Sequence, residues 1–303
     1  MKFGKLNDIS GVDFSLPEDH TRTTQVLEAS TYSPTDFSMY FGCPAWGCKE
    51  WIGKIYPPKT PATKFLFHYS RQFNTIELNT THYRIPTESM IQQWKEATPA
   101  HFRFCPKIPQ SISHRRNLME GRELVTQFTA AVAGLEDKLG VSFMQLPPHF
   151  SAERGAELIH FLQHFPQEIP LSVEFRHESW FEENPRVDQV FEELAKLGIS
   201  TVITDVAGRR DVLHQRLTTP YAIIRLVGNS LDPSDFSRVD DWLKRTKTWR
   251  EKGLHQAYFF LHQPDDVLCP EYAEYLVKEA NQRLGLSLKG PELGQQYVQG
   301  SLF

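Results

Sequence analysis

Polar side chains recur in this sequence at one kind of place: the last residues of short runs rich in Phe, Val, Ile and Tyr. Glu77, Lys107, Gln145, Glu174, Arg176, Asp205, Arg225 and His262 all stand there. Carboxylates can exchange protons, and cations can hold or stabilise negative charge. Glu77, Glu174, Asp205 and Lys107 are therefore the candidate catalytic groups. Arg176 and Arg225 are candidate substrate-binding forks, suited to carboxylate or phosphate. Gln145 can hydrogen-bond a ligand, and so can Asn79, which shares the phase of Glu77. Ion pairing alone is the plain alternative, since three carboxylates meet three cations. Buried ion pairs gain little stability, however, because desolvation offsets their attraction.

Other signals are weaker. Trp46, Tyr83 and Trp180 follow the first, second and fifth apolar runs and could wall a ring-shaped ligand, or simply pack over the strand ends. His114 and His177 lie in loops after the third and fifth runs, and imidazole titrates near neutral pH. Cys43-x₄-Cys48 lacks a second pair at zinc-like spacing. Glu174, Asp205 and His262 could converge on a cation, but Arg225 among them opposes it, so no metal and no cofactor are assigned. No Gly-x-Ser-x-Gly nucleophile turn occurs.

These side chains need elements to position them. Strands are expected at Ser38–Gly42, Phe73–Leu78, Phe102–Lys107, Val141–Leu146, Leu171–Arg176, Ser200–Asp205, Tyr221–Leu226 and Ala257–His262. Helices are expected at Pro61–Gln72, Glu88–Ala97, Arg122–Lys138, Ala152–Gln163, Val187–Lys196, Trp242–Glu251 and Glu271–Leu284. The stretch Val206–Thr219 carries the weakest helical pattern. This alternation predicts a single α/β domain, a (β/α)₈ TIM-like barrel over residues 38–284. Residues 1–37 read as an N-terminal arm without sustained period, and 285–303 as a C-terminal tail. An open doubly wound sheet would carry a glycine-rich phosphate turn after its first strand, which Gly42–Gly47 is not.

Bulk composition narrows the partners. The chain has 303 residues, 40% hydrophobic and 23% charged, with a formal net charge of −4. That balance argues against a general nucleic-acid binder. The N-terminus has no apolar signal region, and no stretch approaches the ~18 apolar residues of a membrane span. Four scattered cysteines fit a reduced, cytoplasmic protein.

Together the motifs resemble the YecE-like family, also called domain of unknown function 72. The matching pieces are Gly42–Trp46 with Trp51 and Tyr56-Pro57, Phe73–Arg84, Phe102–Lys107 with Ser113-His114, Gln145–Pro148, Val173–His177 with Ser179-Trp180, Asp205, and Tyr221 with Arg225-Leu226 and Gly228. The resemblance implies a TIM-like barrel and supplies no activity. His82, Val227 and His262-Gln263 depart from the residues usual at those places.

The leading expectation is an enzyme performing general acid–base chemistry on a small, polar, anionic metabolite. The alternative is a non-catalytic protein binding a small anion; a nucleic-acid-processing barrel ranks third. In the leading scheme Glu77 and Glu174 approach to roughly 5–9 Å. One would keep a proton and the other lose it, while Lys107, Arg176 and Arg225 hold the anion.

Overall fold

Runs rich in β-branched and aromatic residues form strands at all eight expected places. They are β1 (Ser38–Gly42), β2 (Thr75–Leu78), β3 (Arg103–Pro106), β4 (Ser142–Gln145), β5 (Leu171–Glu174), β6 (Ser200–Asp205), β7 (Tyr221–Val227) and β8 (Gln256–His262). The computed structural model describes residues 4–294. Every ladder is parallel, in a six-stranded sheet ordered β1-β8-β7-β6-β5-β4 and a two-stranded sheet β2-β3. The expected continuous eight-stranded ladder is thus not formed; it breaks twice.

Side chains and single bridges occupy both breaks. Between β1 and β2, the Asn74 amide accepts from Phe41 N at 2.7 Å and donates to Met39 O at 2.9 Å. The Tyr69 hydroxyl accepts from Cys43 N and donates to Thr75 O nearby. The strands approach so closely here that a Cβ on Gly42 would run into the Thr75 carbonyl. Between β3 and β4, isolated parallel bridges join Phe104 to Leu139 and Lys107 to Phe143.

The helices are α1 (Thr21–Glu28), α2 (Phe65–Tyr69), α3 (Glu88–Ala97), α4 (Gln110–Ser113), α5 (Arg122–Ala133), α6 (Gly155–Gln163), α7 (Pro185–Lys196), α8 (Pro233–Glu251) and α9 (Cys269–Leu284). In α7, Val187, Val190, Phe191 and Leu194 form one buried stripe at helical spacing. The Asp232 carboxylate caps α8 through Ser234 N at 2.9 Å, with Pro233 in the first turn. Among the described residues no helix is long and apolar enough to cross a membrane.

Several boundaries differ from expectation. The helix expected over Pro61–Gln72 shortens to α2 after a 3₁₀ turn, and α8 begins at Pro233 rather than Trp242. Val206–Thr219 holds only a 3₁₀ turn, Arg210–Val212. The arm is not featureless: it contains α1, whose Thr23 hydroxyl donates to Gln215 O and accepts from Leu217 N. Of the expected tail, residues 295–303 lie outside the described residues, as do residues 1–3 of the arm.

Candidate functional site

Strand side chains alternate, and the inward phase stacks in layers. Tyr40 and Tyr258 stack at 4.6 Å between centroids. Cys105, Val141, Phe143, Val202, Ile223, Tyr258 and Phe260 form an apolar cluster of their own. One step further toward the strand C-termini, the same phase delivers Glu77, Lys107, Gln145, Glu174, Thr204, Arg225 and His262. All seven are buried.

A continuous chain of hydrogen bonds joins them. The Lys107 ammonium donates to Gln145 Oε1 at 2.9 Å, and Gln145 Nε2 donates to Glu174 Oε2 at 2.6 Å. Arg225 Nη1 donates to Glu174 Oε1 at 3.0 Å, and its Nε and Nη2 grip Glu77 at 2.8 and 2.9 Å. His262 Nε2 meets Glu77 Oε2 at 2.9 Å. Asn79 Nδ2, Thr204 Oγ1 and Arg176 Nε complete the two carboxylates, at 2.8, 2.8 and 3.0 Å.

The charges set one another. Burial alone would raise the Glu77 carboxyl, but Arg225 and then His262 outweigh it and hold it well below the usual range. Glu174 is held low in the same way, by Arg176 and Arg225 against burial. The expected split into one proton donor and one acceptor is therefore not found: both carboxylates are ionised and locked to the same guanidinium. Burial, reinforced by Arg225, pushes Lys107 down to about 8. Burial and then Lys107 push His82 down to about 4, and His114 is lowered by burial, Lys107 and Arg176.

Other expected site residues lie elsewhere. Asp205 points to the opposite face of the sheet, because Thr204 takes the inward phase of β6. Its carboxylate is buried against α8, bonded to Arg238 Nη1 at 3.2 Å, to Trp242 Nε1 at 2.8 Å and to Arg210. It cannot join Glu174 and His262 around a cation, and among the described residues no group of three or more His, Cys, Asp or Glu is placed to hold a metal. Trp180 is core, only 1% exposed, donating to Phe150 O at 2.7 Å. Trp46 packs edge-on against Trp94, while Tyr83 is 76% exposed, so these three do not form one wall. His177 binds Ser179 and lines a separate cleft with Ser151 and Asn184. His114 bonds Ser113 and packs edge-on against His82, 5.3 Å between centroids.

One residue was under-weighted by sequence reasoning. His262 was visible as a strand end, but only its bond to Glu77 marks it out. It also lines a cleft of 390 Å³ shared with the N-terminal arm.

Residues 40–295 match the sequence profile described as "Protein of unknown function DUF72". The chain is 30% identical over 274 residues to the UPF0759 protein YecE of Escherichia coli K12, covering 84% of this chain and 95% of that one. It is 31% identical over 150 residues to the UPF0759 protein YunF of Bacillus subtilis, covering 47% of this chain and 52% of that one. A crystal structure of a DUF72 family protein from Enterococcus faecalis superposes with a TM-score of 0.65 at 18% identity, covering 85% of this chain and 99% of that one. One from Thermotoga maritima superposes at 0.56 and 24% identity, covering 82% and 99%.

Proposed function

The chain belongs to the DUF72 family of proteins of unknown function, and we propose that its strands close into a (β/α)₈ barrel whose polar layer is the site of an enzyme acting on a small anionic metabolite. The bridges and side-chain bonds at the two ladder breaks support the closure. The strand C-termini are where such barrels carry chemistry.

One observation carries the anionic substrate. Among the described residues, the hydrogen-bond acceptor of the buried Lys107 ammonium is the neutral Gln145 amide oxygen, not a carboxylate. The nearby carboxylates Glu77 and Glu174 are bonded instead by Arg225, Arg176 and His262. A buried cation without a directly bonded counter-ion favours an anion beside it. The two arginines are already engaged with carboxylates, so Lys107 is the principal holder in place of the trio expected from sequence. A non-catalytic anion binder is the second reading, favoured by the ionised state of both glutamates, which leaves neither with a proton to give.

Calorimetry with sulfate and inorganic phosphate tests the charge reading. The wild-type chain binds one anion, and Lys107→Met weakens it by about tenfold or more, the loss of one charge-assisted contact. No binding by the intact chain, or equal binding by both, overturns it. A screen of phosphate- and carboxylate-bearing metabolites for turnover separates enzyme from binder.

A further inference from the structure

The cleft beside the polar layer has two sources. One wall comes from the loops after β6, β7 and β8, with Val206, Val227, Gly228 and Gln263. The other is the N-terminal arm, with Leu6 and Ile9. The arm precedes the residues that match the DUF72 profile, which begin at 40. It is nonetheless fixed. Gly208 N donates to Gly4 O at 2.9 Å, Arg210 Nη2 donates to Ser15 O at 3.0 Å, and the Phe14 ring lies 4.8 Å from the Arg238 guanidinium.

The β7–α8 loop on this cleft is strained. Ser230 and Leu231 are consecutive non-glycine residues in left-handed backbone, each with φ of 61°. Asp235 holds them there, accepting from Asn229 N at 2.8 Å and Leu231 N at 3.1 Å, while Gln263 accepts from Ser230 N at 2.9 Å. Such backbone is costly and persists where its surroundings over-determine it, commonly at ligand sites.

His262 opens onto this cleft, and its tautomer follows from its partner. An ionised carboxylate only accepts hydrogen bonds, so the ring nitrogen 2.9 Å from Glu77 carries the hydrogen. In the neutral ring the lone pair is then on Nδ1. Among the described residues Nδ1 has no hydrogen-bond partner, and it is not among the buried atoms sealed off without one. An imidazole fixed by a carboxylate through one nitrogen, with the other bare, has the arrangement of a general base.

We propose that His262 is a catalytic base, that Glu77 is its positioning residue, and that the cleft holds the substrate. The substrate class is a small molecule with an acidic O–H or C–H at His262 and an apolar flank against Leu6, Ile9, Val206 and Val227. This deepens the reading of the polar layer as an enzyme's site and rests on it. In the step, Nδ1 forms a new N–H bond, the substrate's O–H or C–H bond breaks, and its electron pair stays on the substrate atom. The imidazolium so formed faces the Glu77 carboxylate, which remains ionised.

The full chain labelled with ¹⁵N-histidine provides the first test, with His262→Asn identifying the resonances. In the neutral ring, reached where raising the pH no longer moves its ¹⁵N shifts, Nε2 carries the proton and Nδ1 is bare; a neutral ring with its proton on Nδ1 overturns the proposal. In folded Glu77→Gln, whose amide can donate or accept, both tautomers become populated, whereas a merely structural Glu77 leaves the tautomer unchanged. Diethyl pyrocarbonate provides the second test on the wild-type chain. Peptide mapping finds His262 modified roughly tenfold faster than His214, both of whose ring nitrogens are hydrogen-bonded, because a bare nitrogen is the reactive form. Leu6→Trp fills the cleft and slows that modification. An unreactive His262, or one indifferent to Leu6→Trp, overturns the site. Neither measurement uses an anion, so a failed sulfate titration would remove the Lys107 reading and leave His262 standing.

Discussion

Glu77 and Glu174 share one cation. Arg225 spans the space between them, with Nε and Nη2 on Glu77 and Nη1 on Glu174, and it is itself fully enclosed by the layers above and below. The shared guanidinium fixes the separation of the two carboxylates and keeps both ionised. Both carboxylates therefore shape and polarise the layer rather than exchange protons, which is the role proposed above for the imidazole at its edge.

Removing that cation should be expensive. Arg225→Met leaves two buried carboxylates without it, and the expected loss is about 3–5 kcal/mol of unfolding free energy at neutral pH. The variant should regain stability on mild acidification, because protonation then relieves the uncompensated charge. Urea unfolding at pH 7 and pH 5 checks both; a loss below about 1 kcal/mol would show that the bridge is not what holds the glutamates.

The wild type should behave oppositely in acid. Glu77 and Glu174 are depressed in the folded chain, so their contribution is fully present above the unfolded value of about 4.3 and is lost progressively as pH falls from there toward their lower folded values. His82 and His214 sit at about 4 when folded. Between the ordinary value of about 6.5 and there, the unfolded state binds more protons, so stability already declines from about pH 6.5 and falls faster below about 4.5. Urea midpoints measured from pH 7 to pH 3 trace this two-stage descent; a flat profile down to pH 4 contradicts it.

Lys107 should be an unusually reactive amine. With its ammonium pushed down to about 8, a substantial fraction is free base near neutrality, unlike ordinary lysines at about 10.4. Between those two values the folded chain binds fewer protons than the unfolded one, so this residue's contribution to stability grows with rising pH. Carbamylation by cyanate, mapped by peptide mass, should find Lys107 modified ahead of exposed lysines, with half-maximal rate at about pH 8. Bound sulfate should suppress the reaction.

Asp205→Asn should separate structure from site. The carboxylate anchors Arg238, Arg210 and Trp242 behind the sheet, so its loss costs about 2–4 kcal/mol. Sulfate affinity should be unchanged, since Asp205 faces α8. A matched drop in affinity would return Asp205 to the binding layer.

The sequence carried most of this arrangement because period-two patterning is strong in buried strands. All eight strands lie where their apolar runs stand, and Glu77, Lys107, Gln145, Glu174 and Arg225 meet as their strand ends implied. Asp205 differs from that expectation by a single step of alternation: it is the last charged residue of its run, but Thr204 holds the inward phase. The start of α8 was legible in Asp232-Pro233, a cap followed by a first-turn proline, but the helix is polar enough there to hide its period. The arm's course was not legible, because Gly4, Phe14 and Asp19 find their partners across long sequence separations.

The two breaks in the ladder give the polar layer a mechanical role. β2 and β3 form a separate two-stranded leaf; β2 carries Glu77, and Lys107 directly follows β3. Across one break Glu77 clasps Arg225 of β7 and His262 of β8; across the other Lys107 clasps Gln145 of β4. Charge and amide bonds thus act as stitches where backbone bonds are sparse. A wall fastened by side chains yields more readily than one fastened by its backbone, and it yields according to how those side chains are charged. An anion bound at Lys107 would brace the same stitch that holds the leaf shut, so occupancy of the site and tightness of the wall become one variable. Amide exchange in β2 and β3, faster than in β5–β8 and slowed by sulfate, is how that coupling would be seen.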